Sequence, residues 1–227
     1  MKTLSQYEFK DDLKTFLSSF NDEKYEMKNI DDIFIRPLQT EWSSLEMIKI
    51  LLKPGDIVEF ERRILGVTVY SHFVIFLGII QNDYIISHLA KEERIDNNKN
   101  LVNKKFSCHM KGNYSVQLSK IEDASFKHGK VRINNKQDKY LIPFNIKKIR
   151  KTSFNSLGLY PYNSLFDNCE HYVNRIRYGT HHSDQADKAY YKGFPLMSYI
   201  TIFKYIQWKR KRNMFYSNKA INYKIME

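Results

Sequence analysis

Cysteine is nearly absent from this chain: Cys108 and Cys169 are the only two in 227 residues. Two cysteines exclude a disulfide framework and a four-cysteine zinc site. Long apolar runs are missing as well. The longest clean one, Phe73 to Ile80, falls far short of the ~20 residues that a membrane-spanning helix needs. The opening segment, MKTLSQYEFKDDLK, has no apolar core of the signal-peptide kind. There is no internal repeat and no low-complexity block. The expectation from these absences is an intracellular, cytoplasmic protein, soluble or held peripherally at a membrane.

Aromatic residues are plentiful at 15%, and 42% of the chain is hydrophobic, enough for one sizeable packed domain. The formal net charge is +12, which favours an anionic partner, either nucleic acid or an acidic membrane surface. Residues 1–49 are charged and weakly amphipathic and read as an N-terminal helical extension. The turn at Pro54-Gly55 opens a compact domain over 50–190, and a basic, aromatic tail follows over 191–227. Within the domain, DIVEF, VYSHFVIFLG, DYIISHLA, YSVQLSKI and KVRINN have the β-branched and aromatic make-up of strands. The segment Lys91–Lys105 is polar and reads as a loop. From Pro143 the period becomes helical, with Ile146, Ile149, Ser153, Phe154 and Leu157 near one face and Gly158 at the end. A second helix runs from about Asn168 to Gly179. The fold class is α+β, an antiparallel sheet packed against helices.

Cys169 begins that second helix. Asn168 suits the N-cap, Glu170 the first turn, and Gly179 the stop. Cys169, Tyr172, Val173 and Ile176 share the face turned to the sheet. A thiol at a helix N-terminus has its thiolate stabilised by the helix dipole and backbone N–H groups, and the same groups can bind an oxyanion. A nucleophile also needs a base. Alternation places Tyr70, His72, Val74 and Phe76 on one face, and Tyr84, Ile86 and His88 on a face of the next strand. His72 could take the thiol proton, His88 could orient its ring, and Tyr70 could donate to the oxyanion. Spacing alone leaves simpler readings open. Cys169 can be a small core hydrophobe, each histidine a satisfied core residue, and the three together a zinc site, although the paired spacing of such sites is missing. His171, His181 and His182 are expected on exposed helix or loop surface, and Cys108-His109 is expected to be structural.

These stretches resemble the phospholipase A/acyltransferase family related to lecithin:retinol acyltransferase, of the NlpC-like papain superfamily. KPGDIVEF, SHFVIFLG, ISHLA, RINNKQDKYLIP and NCEHYVNRIRYG match in order, and SDQ at Ser183–Gln185 extends the match, over roughly Lys53 to Gln185. The resemblance implies a circularly permuted papain-like fold with both histidines ahead of the cysteine. It implies Cys169 as nucleophile, His72 as general base, His88 as its orienting partner, and Tyr70 near the oxyanion. The implied chemistry is acyl transfer from a phospholipid through an acyl thioester, to water, an amine or a lysophospholipid. No cofactor and no metal ion are expected. The separation of His72 from His88 is longer than is usual in the family, and the extension over 1–49 has no counterpart in it. Two other readings stand beside this one: a non-catalytic membrane adaptor that keeps the fold, and a cysteine peptidase or amidase of the wider superfamily.

The tail KYIQWKRKRNMFY sets aromatics beside Lys209, Arg210, Lys211 and Arg212. That composition suits an anionic bilayer surface or a nucleic-acid backbone; the lipid chemistry that the resemblance implies favours the bilayer. Phe194 to Trp208 is short and interrupted by Lys204, so it is not expected to span a membrane.

Overall fold

The computed structural model describes residues 13–22, 37–64, 67–91, 113–125, 129–163, 166–188, 206–207 and 209–210. The strands are β1 (Ile57–Ile64), β2 (Val67–Ile80), β3 (Asp83–Lys91), β4 (Tyr114–Lys120), β5 (Val131–Ile133) and β6 (Gly158–Tyr160). They form one sheet in the order β5-β1-β2-β3-β4-β6, and every pairing is antiparallel. The helices are α1 (Leu13–Ser18), α2 (Leu45–Leu51), α3 (Ile121–Ala124), α4 (Ile146–Asn155) and α5 (Cys169–Tyr178). The α+β class expected from the sequence is the class observed. Cys108-His109, residues 92–105 and Lys211-Arg212 lie outside the described residues. No helix among the described residues is long and apolar enough to cross a membrane.

The β2–β3 hairpin absorbs the long separation between the two histidines. It closes on Gln81 and Asn82, both at positive φ (48° and 72°), as a type I′ turn requires. Gly78 (φ 133°) sits where the β2–β3 register slips. A Cβ there would lie 2.8 Å from Arg150 Nη2 and 2.9 Å from the Phe20 ring, so the bulge needs glycine.

Both faces of the sheet are covered. On one, Phe73, Ile75 and Leu77 pack with Ile149 of α4, with Cys169, Tyr172, Val173 and Ile176 of α5, and with Phe16 and Phe20. On the other, Val58, Phe60, Val74, Phe76 and Ile86 pack with Ile48 and Leu52 at α2 and with Ile121 and Ala124 of α3. Burial on both faces explains why the strands read as near-continuous apolar runs. The stretch before residue 50 thus contributes to both layers. A buried cation joins it to the rest: Arg150 donates from Nη1 and Nη2 to Asp22 at 2.8 and 2.6 Å and from Nε to Leu77 O, with its guanidinium 3.9 Å from the Phe20 ring centroid.

Candidate active site

The sheet splits where the candidate residues gather. β2 runs back to Val67 and β3 runs on to Lys91, yet their ladder ends at Val74↔His88. Beyond that point β2 stays with β1 and β3 stays with β4. Opening such a fork leaves backbone groups that need new partners. At Ser71 they are supplied by other segments: its N–H donates to Gln185 Oε1 at 2.9 Å, and its carbonyl faces Cys169 Sγ at 3.8 Å. The start of α5 and the segment at Gln185 therefore occupy the place that β3 has left.

Cys169 is held there by its helix cap. Asn168 Oδ1 accepts from Glu170 N and His171 N at 2.9 and 3.1 Å, while Asn168 N–H donates to His171 Nδ1 at 3.2 Å, closing a capping box. At the other end Gly179 takes the left-handed conformation (φ 78°), with Phe144 packed so close that a Cβ would lie 2.9 Å from its ring. Asn168 Nδ2 donates to Ser183 Oγ at 3.1 Å. The carboxylate of Glu170 accepts from Ser183 Oγ at 2.7 Å and from Gln185 N at 2.9 Å. Burial pushes the Glu170 carboxyl upward, and these bonds from Gln185 and Ser183 oppose it. Glu170 thus ties the Ser183–Gln185 segment to α5 and aims the Gln185 amide at the fork.

The two histidines meet as the strand pattern predicts. His72 Nε2 and His88 Nδ1 are 3.1 Å apart, and His88 Nε2 is 3.1 Å from Ser119 Oγ on β4. Both rings are fully buried. Burial, then the Arg62 guanidinium and His88, drive His72 well below the ordinary imidazole range. Burial and Arg62 lower His88 to about 3. Two neutral rings admit two proton orders, and the bond from Ser119 O–H to Lys120 O favours the one that follows. Ser119 O–H donates to Lys120 O at 3.3 Å and accepts from His88 Nε2–H, and His88 Nδ1 accepts from His72 Nε2–H. His72 Nδ1 is then an acceptor nitrogen.

As alternation suggests, His72 lies on the face of Val74 and Phe76: it pairs with Phe60, in the layer of α2 and α3, whereas Phe73, Ile75 and the α5 residues form the other layer. Tyr70, expected beside His72, packs against the α5 layer instead. The physical reason is the fork: beyond Val74 the strand is held on one side only. Cys169 Sγ thus adjoins the Ser71 carbonyl, in the peptide that leads into His72. Cys169, His72 and His88 do not form a group with all ligand atoms within 4.8 Å; the group that does, among the described residues, is His182, Asp184 and Asp187. Lys136 Nζ already bonds to Asp184 there. Burial would raise that carboxyl, but Lys136 and His182 bring it below its usual value.

One further expectation changes. His171, expected at the surface, is buried at the cap; burial first, and then His181, lower its imidazole to about 3. His181 is exposed and His182 half-buried. Pattern reading passed over Ser119, Arg62 and the Glu170–Ser183 pair. None belongs to a periodic apolar face or a short motif, and the available pointer was the SDQ match.

The arrangement is that of an α+β protein: an antiparallel sheet covered by helices, with a cysteine heading one helix and a histidine pair on the central strands. Comparison with known proteins gives the family. The family model for lecithin retinol acyltransferase matches residues 51–182. Phospholipase A and acyltransferase 3 of Mus musculus is 31% identical over 151 residues, covering 60% of this chain and 77% of the mouse protein. Phospholipase A and acyltransferase 2 of Homo sapiens is 32% identical over 147 residues (60% and 76%). Lecithin retinol acyltransferase of Rattus norvegicus is 29% identical over 144 residues (59% and 58%). The chain belongs to the lecithin retinol acyltransferase family.

Proposed function

We propose that the protein is a cysteine-dependent acyltransferase and phospholipase A acting on phospholipids. The observation that carries this reading is the position of Cys169: capped at the start of α5, inserted into the β2–β3 fork, next to the peptide that leads into His72. With Nε2 committed to His88, His72 Nδ1 serves as the base, a role that the 3.1 Å contact between the two rings supports. The thiol proton passes to it through the fork, where no β2–β3 ladder bars the way. The thiolate then attacks an ester carbonyl, and the oxyanion is met by the helix start and the Tyr70 hydroxyl. Collapse of the tetrahedral adduct breaks the C–O bond, and His72 returns the proton to the departing lysophospholipid oxygen. The acyl group stays on sulfur until water, an amine or a lysophospholipid takes it.

His88, anchored by Ser119, orients His72 and keeps Nε2 protonated, the part that the third member plays in such triads. Both histidines precede the cysteine in the chain, the order of a permuted papain-like domain. Exposed Lys209 and Arg210, with Lys211 and Arg212, hold the protein peripherally on anionic bilayers. The test is incubation with labelled phosphatidylcholine and intact-mass detection of an acyl adduct, with Cys169→Ala as control. An adduct that vanishes in the variant is expected. No adduct and no fatty-acid release across acceptors and vesicle compositions overturns the reading.

A further inference from the structure

The sequence NCEH sets a histidine where a capping box ordinarily carries Glu or Gln. His171 is the third helical residue of α5, and its Nδ1 takes the Asn168 N–H at 3.2 Å. Nδ1 also lies 3.0 Å from Asn168 Oδ1. That oxygen already accepts two backbone N–H groups, and the Asn168 amide needs an acceptor. Nδ1 is therefore the acceptor and the ring carries its proton on Nε2. The ring is backed by His181, with centroids 4.4 Å apart and planes at 33°. His181 Nε2 reaches buried Asp167 Oδ1 at 3.3 Å, and Tyr160 O–H donates to the same oxygen at 2.5 Å. Arg175 Nη2 in turn donates to the Tyr160 oxygen at 2.8 Å. A polar chain thus runs from α5 and β6 through Asp167 to His181, whose ring packs on His171, the acceptor for the backbone N–H of the residue preceding Cys169.

We infer that His171 is a positioning residue for Cys169: its Nδ1 fixes the Asn168 peptide, and with it the cap from which Cys169 starts the helix, while Asp167 and His181 hold the ring in place. The inference rests on the reading of Cys169 as a nucleophile. A neutral ring is essential to it, because a protonated Nδ1 has no lone pair for the amide. The charged and titratable groups facing the ring are His181, His182, Arg175 and Asp167; Asp167 alone among them favours the protonated ring. Glu and Gln do the same task in other helices with an oxygen. Gln at position 171 should therefore substitute for His, and Ala should not.

The experiment measures alkylation of Cys169 by iodoacetamide as a function of pH, followed by peptide mass, in the full chain and in His171→Ala, His171→Gln and His181→Ala. Alkylation needs no lipid, so it reports on the thiol even if acyl transfer to phospholipids fails. His171→Ala is expected to raise the apparent thiol pKa by about one unit, slowing alkylation near neutrality about tenfold. His171→Gln should stay within about threefold of wild type, and His181→Ala should shift the profile in the same sense as Ala at 171 by a smaller amount. On phospholipid, kcat should fall in His171→Ala with KM little changed. A wild-type alkylation profile in His171→Ala, or a His171→Gln variant as slow as His171→Ala, overturns the inference. If His171→Ala does not fold, the other two variants decide. A slow His171→Gln, or an unshifted His181→Ala, is then the overturning result.

Discussion

His72 and His88 show what burial does to a residue. Each ring is enclosed, each has a ring or hydroxyl partner, and Arg62 adds positive charge nearby. Protonation is disfavoured, so His72 stays a competent acceptor below pH 6.5, where a solvated imidazole is half protonated. The acid limb of kcat/KM against pH is expected below 6.5; a limb above that value contradicts a desolvated base. His72→Ala should slow acylation of Cys169 by about 10²–10⁴-fold, read by burst-phase kinetics. Acylation at the wild-type rate would remove His72 from the mechanism. Ser119→Ala takes away the hydroxyl that anchors His88 and should cost less, about tenfold, mainly in kcat.

Gly78 and Asn168 carry the corresponding lesson for elements. The register slip in β2 depends on a residue with φ 133° and no side chain, because Arg150 and Phe20 fill the space. Gly78→Ala should destabilise the fold by about 2 kcal/mol or more, seen as a lower urea midpoint at unchanged m. A midpoint within error of wild type would mean that the bulge relaxes freely. The cap of α5 is a second such point. Asn168→Ala removes an acceptor for two backbone N–H groups and a donor to Ser183, with an expected cost of about 1–2 kcal/mol.

At the scale of the whole molecule, buried neutral histidines link stability to pH. His88 and His171 have folded values of about 3 against ~6.5 when unfolded. Between those values the unfolded chain binds more protons, so stability falls as pH drops from 6.5 towards 3, by roughly 1 kcal/mol per pH unit for each group. Glu170 opposes this. Its carboxyl is raised in the fold, so its contribution is present below the unfolded value of ~4.5 and is lost as pH rises through the folded value. The histidines outnumber it, and thermal melts should show Tm falling from pH 7 to pH 5. A Tm that rises over that interval would falsify the neutral, buried assignment.

Strands β1 to β5 and helices α4 and α5 were legible in the sequence because local rules decide them. Alternating or continuous β-branched runs, an Asn cap and terminal glycines act within a few residues of each other. The histidine pair was legible for the same reason, since strand periodicity on a hairpin brings His72 and His88 together. The three-residue β6 was not legible, because Gly158, which begins it, reads as the stop of the preceding helix. Nor was the burial of Arg150, which requires Asp22 from a distant segment. His171 looked like a surface histidine because its partners, Asn168 apart, come from residues that only folding brings near.

The sequence by itself determined that a cysteine begins a capped helix, that two histidines lie on neighbouring strands, and that the chain is α+β. Each follows from chemistry within one turn, one strand or one hairpin. Only the tertiary structure decided that the β2–β3 ladder lapses at Val74↔His88, that Cys169 and Gln185 take up the Ser71 backbone left there, and that His72 turns to the layer opposite α5. The reason is physical. Whether a strand keeps its neighbour depends on what else can satisfy its backbone groups, and here the competing partners arrive from about a hundred residues away along the chain.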